Sequence, residues 1–439
     1  MTAFDHILPA AAEILRVQGD IVSQLDWLVI NRDLNGRVRF IVPERIASNV
    51  ELKALVEALY QALAERIAPH SYPVATGILF ETNVDEACAG GARFPLEGFD
   101  KVWVADRLAT EGNWAQIAPE TQGAPRVVFF SIKGGVGRST ALAACAWKMA
   151  QLGKRVLVLD LDLESPGLSS SLLSPERQPL YGITDWLVED LVDQGDDLLD
   201  AMIATSDLSG DGQIDVVPAH GANPGEYIAK LGRVWMPKVC SDGTRESWSM
   251  RLQKLLQRLE ARIQPDIVLI DSRAGIDEVA SSCVTDLGAN LILLFALDGS
   301  QTWNGYEILF NHWLRSGVAT QIRERLQTVA ALVPELDPAA YLADLREHAY
   351  DLFLETLYDE VYATDDEGWS FDLAGEIAPH QPWSVRWHRG FAALRTLHGR
   401  LAQVDDEEVR HVFGDLIGRI LRSLGWAEGY PKVIDGGAF

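Results

Sequence analysis

The sequence is short of cysteine, of cations and of long apolar runs. Only four cysteines occur in 439 residues, with no CxxC pair and no histidine at metal-ligand spacing: Cys88, Cys145, Cys240 and Cys283. This pattern favours reduced thiols over a disulfide framework or a structural zinc site. No run approaches the roughly 18 apolar residues of a membrane span, and the N-terminus lacks the basic start and apolar block of a signal peptide. We therefore expect a cytoplasmic protein that does not enter a membrane.

Cations are few, because 38 lysines and arginines face 63 acidic residues, for a formal charge of −25. A field of this sign repels polyphosphate, which makes direct DNA binding unfavourable. One stretch runs against the trend, since residues 230–262 hold eight basic and three acidic residues. Its basic members are Lys230, Arg233, Lys238, Arg245, Arg251, Lys254, Arg258 and Arg262. We interpret it as the solvated face of a helix or as a docking surface for an acidic or nucleic-acid partner.

The first 122 residues have the pattern of a separate, smaller α+β domain. Apolar residues at helical spacing predict a helix over 49–67. Alternating and β-branched runs predict strands over 37–43, 74–80 and 101–106. Residues 118–125 are rich in turn formers and are the predicted linker. No pattern in this domain points to a chemistry, so it is a candidate for contacting a protein partner.

Residues 123–425 are predicted to form one larger α/β domain, followed by a tail over 426–439. Short apolar runs alternate there with helical patterns, which is typical of a mostly parallel sheet flanked by helices. The acidic segment 174–213 looks like a loop elaboration, and 391–424 has helical spacing. The predicted strands are 126–131, 155–160, 214–219, 266–271, 291–297 and 328–334.

A glycine-rich segment of the sequence KGGVGRST, residues 133–140, separates the first of these strands from a helical pattern. Glycines let successive backbone amides point inward at phosphate oxygens, and the start of a helix adds partial positive charge. The hydroxyl of Ser139 is placed for Mg²⁺ and that of Thr140 for a phosphate oxygen. The predicted nucleotide-binding residues are Gly134, Gly135, Val136, Gly137, Arg138, Ser139 and Thr140. A lysine at 133 is better aimed at the phosphates of a facing subunit than at its own.

This loop resembles that of the ParA/MinD family of deviant-Walker ATPases, in the SIMIBI class of P-loop proteins, whose loop reads KGGxGKST. The resemblance covers about residues 126–425 and implies ATP with Mg²⁺, a homodimer that clamps ATP through Lys133, and slow hydrolysis. ATP in preference to GTP rests on the resemblance alone. The departure is Arg138, where the family has lysine. Because arginine is larger, planar and always charged, we expect nucleotide binding to survive the change more readily than fast hydrolysis.

Three carboxylates and a second arginine complete the predicted site. Asp160 and Asp162 end a strand two residues apart, and Asp271 ends another buried strand. The resemblance implies that Asp162 orients the attacking water, that Asp160 lies near the metal, and that Asp271 holds Mg²⁺ as a Walker-B residue. Arg273 is a second departure, which either pairs with Asp162 or Glu164, reaches a phosphate as a charge stabiliser, or is an ordinary surface arginine.

These patterns leave three functions open. The first is an ATP-operated switch that controls a partner through the N-terminal domain or the basic 230–262 surface. The second is a hydrolysis-deficient nucleotide-binding scaffold in a bacterial signalling or defence complex, with turnover removed by Arg138. The third is a kinase related to bacterial tyrosine kinases, which is disfavoured because only Tyr430 lies in place of a C-terminal tyrosine cluster.

Overall fold

The computed structural model describes residues 3–89, 92–108, 112–360, 368–391, 397–403 and 406–426. The chain divides into two compact units, one of residues 1–116 with 312–318 and one of 117–311 with 319–439. In the predicted linker, the amides of Ala118 and Thr121 donate to the carbonyls of Thr285 and Gly288 within the second unit. The boundary after residue 122 stays a prediction. Apart from Trp426, the predicted tail with Tyr430 lies outside the described residues.

The first unit contains a five-stranded mixed sheet in the order β3-β2-β1-β5-β4. Neighbouring strands are parallel between β1 and β5 and between β2 and β3, and antiparallel in the two other pairs. The strands are β1 Leu28–Arg32, β2 Val38–Pro43, β3 Ile78–Glu81, β4 Ala92–Pro95 and β5 Val102–Asp106. The strands predicted over 37–43 and 101–106 are therefore present as β2 and β5.

Helices cover this sheet, and the longest forms where its sequence spacing predicts it. The helices are α1 Ile7–Val17, α2 Gly19–Ser23, α3 Val50–Ile67, α4 Val74–Gly77 and α5 Val84–Cys88, with 3-10 turns at Phe4–His6 and Glu44–Ser48. The side chain of Asn49 caps α3 by accepting from the amide of Leu52. The strand predicted over 74–80 is wrong in its first half, because Gly77 packs on the Tyr60 ring, where a Cβ would come within 2.0 Å. Residues Val74–Gly77 instead form the helical turn α4, which brings Gly77 against Tyr60, and the strand β3 begins at Ile78.

The second unit contains an eight-stranded sheet in the order β15-β14-β13-β6-β12-β7-β9-β8, in which every neighbouring pair except β8 and β9 is parallel. A separate two-stranded hairpin joins β10 to β11. The strands are β6 Arg126–Ser131, β7 Arg155–Asp160, β8 Ala204–Thr205, β9 Gln213–Val217, β10 Lys238–Val239, β11 Arg245–Glu246, β12 Ile267–Ala274, β13 Leu291–Ala296, β14 Leu326–Val333 and β15 Trp383–Arg386. The predicted fold class, a mostly parallel sheet with flanking helices beside a smaller α+β unit, is confirmed.

Helices lie on both faces of this sheet, which explains why its central strands are apolar throughout. Phe129 belongs to the core with α6 and α16, whereas the next residue, Phe130, packs edge-on against Tyr306 of α12. The helices are α6 Arg138–Gln151, α7 Ser169–Leu172, α8 Ile183–Asp190, α9 Tyr227–Val234, α10 Trp248–Ile263, α11 Glu278–Ser281, α12 Ser300–Arg315, α13 Ala319–Ile322, α14 Pro338–Thr356, α15 Leu397–Gln403 and α16 Asp406–Ser423. A π-helix follows α11 at Ser282–Asp286, and 3-10 turns lie at Pro175–Arg177, Gly195–Ala201, Arg323–Arg325 and Arg389–Phe391. Among the described residues, no helix combines the length and apolarity that crossing a membrane requires.

The acidic and basic segments of this unit neutralise each other. The segment 174–213, expected to be loop-like, contains α8, β8 and two 3-10 turns. Its carboxylates pair with most of the cations of the basic stretch, and two such pairs join Lys230 to Asp185 at 2.6 Å and Arg262 to Asp200 at 2.8 Å. The paired cations are Lys230, Lys238, Arg251, Lys254, Arg258 and Arg262. Six of the eight predicted surface cations are thus engaged within the unit, which argues against a free basic docking surface.

Candidate functional site

The glycine-rich loop spans the gap between β6, which ends at Ser131, and α6, which begins at Arg138. Two turns of the backbone there need left-handed conformations, with φ of +74° at Gly135 and +78° at Gly137. A Cβ at Gly137 would also lie 3.2 Å from the side chain of Leu332. The loop therefore curls in front of the start of a 14-residue helix, which is the arrangement that binds phosphate groups.

Arg138 turns its side chain away from the exposed part of the loop and into the protein. Its Nε donates to Oδ1 of Asp271 at 2.9 Å, and its Nη1 donates to Oγ of Ser131 at 2.9 Å. Its Nη2 lies 3.5 Å from Oδ2 of Asp162. The side chain is 7% exposed and that of Asp271 is 1% exposed. The residue predicted to bind phosphate thus binds the two carboxylates that were predicted to serve Mg²⁺ and water.

Asp160, the last residue of β7, lies beside Asp271 of the parallel strand β12. They are direct register partners, so that both side chains project from the same face of the sheet. Asp160 is fully buried and neither of its carboxylate oxygens has a hydrogen-bond partner, although the amides of Gly167 and Ser169 face it. Burial, and then the charges of Asp271 and Asp162, raise the pKa of Asp160 to about 8.

Asp162 completes a group that we call the phosphate-loop cluster. Burial raises the pKa of Asp162, with a smaller contribution of the same sign from Asp271, although the Arg138 guanidinium opposes both. Its Oδ1 accepts from the amide of Ser165 at 3.3 Å. The phosphate-loop cluster consists of Arg138, Asp160, Asp162 and Asp271. The three carboxylates come together as the sequence predicts, but the Arg138 guanidinium pairs with two of them, Asp162 and Asp271.

The second unexpected arginine, Arg273, pairs with acids on both sides of it. Its Nη2 lies 2.5 Å from Oε2 of Glu164, and its Nη1 lies 3.1 Å from Oδ2 of Asp277. Asp277 also caps α11 by accepting from the amide of Ala280, and burial raises its pKa. Of the two partners considered from the sequence, the structure favours Glu164 over Asp162. The predicted catalytic role of Arg273 stays a prediction.

The other predicted loop residues lie at the surface or just below it. Lys133, Gly134 and Gly135 are exposed, Ser139 is half-buried in the first turn of α6, and Val136 and Thr140 are buried. The carbonyl of Lys133 accepts from Oγ of Ser131 at 3.0 Å, and its ammonium pairs with no acid in the part of the chain that the structure describes. Because Lys133 lies at the exposed edge of the loop, it is accessible to a second molecule. The roles of Lys133, Ser139 and Thr140 toward phosphate and metal stay predictions.

Two residues of the site escaped the sequence analysis. Ser131 links Arg138 to the carbonyl of Lys133, and Asp277 balances Arg273. A polar residue at the end of the otherwise apolar strand β6 was the available signal for Ser131. For Asp277 the signal was its spacing of four residues from Arg273, although β12 ends between the two.

Of the residues predicted to hold Mg²⁺, Asp271 does not fit the ion while Arg138 stays in this position. The unpartnered oxygens of Asp160 fit a nearby cation, but Asp271 already accepts from Arg138. Among the described residues, no three His, Cys, Asp or Glu side chains are arranged to hold a metal ion together.

A curled glycine loop between a strand and a helix, with carboxylates at the ends of the adjacent strands, defines a P-loop nucleotide-binding protein. The chain belongs to the family of CobQ/CobB/MinD/ParA nucleotide binding domains, whose model matches residues 127–362, more than half of its length. The resemblance to ParA/MinD-type ATPases is thereby confirmed. Arg138 and its contacts mark this chain as a divergent member.

Individual proteins and solved structures resemble this chain either over a short stretch or at low sequence identity. A protein of Aquifex aeolicus named as an arsenical pump-driving ATPase is 45% identical over 53 residues, which is 12% of this chain and 13% of that relative. A plasmid partition protein of Borrelia burgdorferi is 15% identical, with a TM-score of 0.40, over 69% of this chain and 100% of its own. A ParA family ATPase of Chlorobium tepidum is 14% identical, with a TM-score of 0.44, over 67% of this chain and 99% of its own.

Proposed function

We propose that this protein is a nucleotide-dependent molecular switch that binds ATP in the loop between β6 and α6 and controls a partner protein. The observation that carries the proposal is the loop itself. Left-handed glycines at 135 and 137 curl its backbone in front of the N-terminus of α6, and residues 133–135 are exposed to an incoming ligand. Amides at the start of a helix bind phosphate groups without help from any particular side chain.

The two unexpected arginines supply the contact that a nucleotide would change. Arg138 approaches Asp162 and Arg273 pairs with Glu164, so both hold the short segment that follows β7. A triphosphate in the loop offers Arg138 a competing anion. Turning only Nη2 toward phosphate, while Nε stays on Asp271, would free Asp162 and alter this segment, which is how a local charge change becomes a conformational signal.

A homodimer is the proposed signalling form, with Lys133 of each subunit directed at the nucleotide of the other. Its support is the exposure of Lys133 at the edge of the loop. We place the partner on the first unit, because the cations of 230–262 are largely paired within the second unit. The four cysteines are free thiols, which suits the cytoplasm.

A second candidate is the nucleotide-binding scaffold, in which ATP stabilises the protein and is not turned over. One observation favours it. Arg138 engages Asp162, which the family resemblance assigns to the attacking water, and Asp271, which it assigns to the metal. If this arrangement persists in the ATP complex, hydrolysis is slow or absent.

The test compares the wild type with Lys133→Ala, Arg138→Ala and Asp162→Ala, using equilibrium dialysis with ATP, light scattering and phosphate release. Lys53→Ala, in α3, is the matched control for Lys133→Ala. We expect ATP to bind the wild type and to double its mass, and the doubling to be lost in Lys133→Ala but kept in the control. Phosphate release that disappears in Asp162→Ala supports the switch over the scaffold. The absence of ATP binding by the wild type would refute both.

A further inference from the structure

We infer that the Arg138 guanidinium takes the place of a divalent cation beside Asp271, so that the site binds a nucleoside triphosphate without needing a divalent metal. The inference rests on the proposed function in one respect, namely that the loop binds nucleotide. It goes beyond that function because it assigns the metal requirement of the site to one residue.

The Arg138 guanidinium occupies Oδ1 of Asp271, the carboxylate that would hold the metal. Nε, Nη1 and Nη2 each face a different oxygen, on Asp271, Ser131 and Asp162 respectively, at 2.9, 2.9 and 3.5 Å. Asp271 is 1% exposed. Magnesium keeps several of its waters when it binds protein carboxylates, and a hydrated ion needs room that the guanidinium fills.

Exchange of the guanidinium for a metal ion is unfavourable for a second reason. Arginine stays charged at every accessible pH, and Arg138 is almost fully buried. A metal ion that displaced it from Asp271 and Asp162 would leave a buried guanidinium without its ion-pair partners, which is destabilising. A divalent ion and the guanidinium therefore compete for the same carboxylates, and the intramolecular cation is always present.

A lysine at this position cannot make the same set of contacts. Its ammonium is a single point on a flexible stem, whereas Arg138 reaches Asp271, Ser131 and Asp162 with three separate nitrogens. Lysine can turn its head toward phosphate and leave Asp271 to a hydrated metal. The arginine that departs from the resembled loop is thus the residue that would remove the metal requirement.

The first test needs no nucleotide. Mn²⁺ is titrated into the wild type, Arg138→Gln and Arg138→Lys, and free Mn²⁺ is followed by its electron paramagnetic resonance signal. Arg273→Gln is the matched control, because it removes a neighbouring arginine that does not contact Asp271. We expect an affinity for Mn²⁺ at least about tenfold higher in the two Arg138 variants than in the wild type and the control. Equal affinities in all four proteins would overturn the inference.

The second test measures the binding of a non-hydrolysable ATP analogue in Mg²⁺ and in EDTA. Two coupled ligands usually change each other's affinity by about 5- to 150-fold. We expect a change below about threefold in the wild type and above about tenfold in Arg138→Lys. Strengthening of the wild type by tenfold or more in Mg²⁺ would also overturn the inference. If no analogue binds in either condition the proposed function fails, while the Mn²⁺ titration still decides the inference; thermal melts confirm that each variant is folded.

Discussion

The second unit contains two clusters in which an arginine pairs with a buried carboxylate, and the clusters differ in how many cations face the buried acid. In the insertion cluster, one central carboxylate, Asp190, meets three cations. Arg251 donates to it from Nε at 2.8 Å, and the ammonium groups of Lys238 and Lys254 lie at 3.2 and 3.3 Å. Although burial acts to raise it, the hydrogen bonds from Arg251 and Lys238 hold the pKa of Asp190 below its usual value. The insertion cluster consists of Asp190, Lys238, Arg251 and Lys254.

The phosphate-loop cluster reverses this ratio, since it has three carboxylates and a single guanidinium, which contacts Asp271 and Asp162. The pKa of Asp160 is raised to about 8 and that of Asp162 is also raised, in both cases first by burial. Asp190 is held in place because both of its oxygens are paired with cations, although Lys238 and Lys254 also pair with the further acids Asp193 and Glu246. In the phosphate-loop cluster, which lies beside an exposed loop, the carboxylates outnumber the cation and repel one another. Protonation of a carboxylate, or a movement of the Arg138 side chain, changes that repulsion. The insertion cluster therefore has a structural role, whereas the phosphate-loop cluster has the charge pattern of a functional site.

The comparison predicts its largest effect at Arg251. Arg251→Ala should lower the free energy of unfolding by about 3 kcal/mol or more, because it removes a fully buried partner of Asp190 and leaves the carbonyls of Leu187, Val234 and Met236 without their donor. Urea denaturation of the full chain measures this quantity. Arg258→Ala, on the same helix but in an exposed pair with Asp196, is the matched control and should lose less than about 1 kcal/mol. Equal losses of unfolding free energy in Arg251→Ala and Arg258→Ala would show that the buried insertion cluster stabilises the fold no more than an exposed ion pair does.

The second-largest predicted effect is on the pH dependence of stability, which should differ between Asp160 of the phosphate-loop cluster and Asp190 of the insertion cluster. Asp160 has a folded pKa of about 8, so between about pH 4 and 8 the native state binds more protons than the unfolded state and stability falls as pH rises. Asp160→Asn removes this loss, and its stability relative to the wild type should improve by more than about 1 kcal/mol from pH 5 to pH 8.

Asp190→Asn is the control for that pH series. Its lowered folded pKa places any change of stability below the pKa of the unfolded carboxyl, so its deficit should stay constant from pH 5 to pH 8. Thermal or urea denaturation at three pH values is sufficient. A constant difference for Asp160→Asn as well would show that Asp160 is ionised in the native state.

The smallest effect tests how far the phosphate-loop cluster extends. Arg273 and Glu164 are about one-third exposed or more, so Arg273→Ala should change the free energy of unfolding by less than about 1 kcal/mol. Arg262→Ala, which removes a still more exposed pair with Asp200, should behave alike under the same urea denaturation. A loss above about 2 kcal/mol for Arg273→Ala alone would place Arg273 among the buried members of the cluster.

Much of the second unit could be predicted because its patterns are local. The strand over 126–131 and the strand over 155–160 have the observed bounds, since buried parallel strands are continuous apolar runs. The meeting of Asp160, Asp162 and Asp271 also followed, because carboxyl ends of adjacent parallel strands share an edge. In the first unit, the helix over 49–67 was predicted to within one residue of its observed start.

What could not be predicted depends on contacts between distant segments. The direction of the Arg138 side chain is decided by carboxylates 24 and 133 residues away. Residues 174–213 resemble a loop in isolation, but Asp185 and Asp190 order α8 by pairing with cations of a later segment. The ion pairs between these two segments, two of which are solvent-exposed, argue against a free basic docking surface over 230–262, and composition alone does not reveal such pairing.

The register that places Asp160 beside Asp271 restricts which substitutions the sequence can accept during evolution. Main-chain bonds of the sheet, including that from the amide of Leu161 to the carbonyl of Asp271, fix the separation of the two carboxylates. Because the backbone holds the two residues side by side, a proton or a cation relieves the repulsion between them. Positions 138, 160 and 271 therefore constrain one another's mutations. A lineage that exchanges arginine for lysine at 138 keeps the positive charge but loses the three separate contacts of the guanidinium, so an ammonium that turns toward phosphate leaves Asp271 in need of another cation.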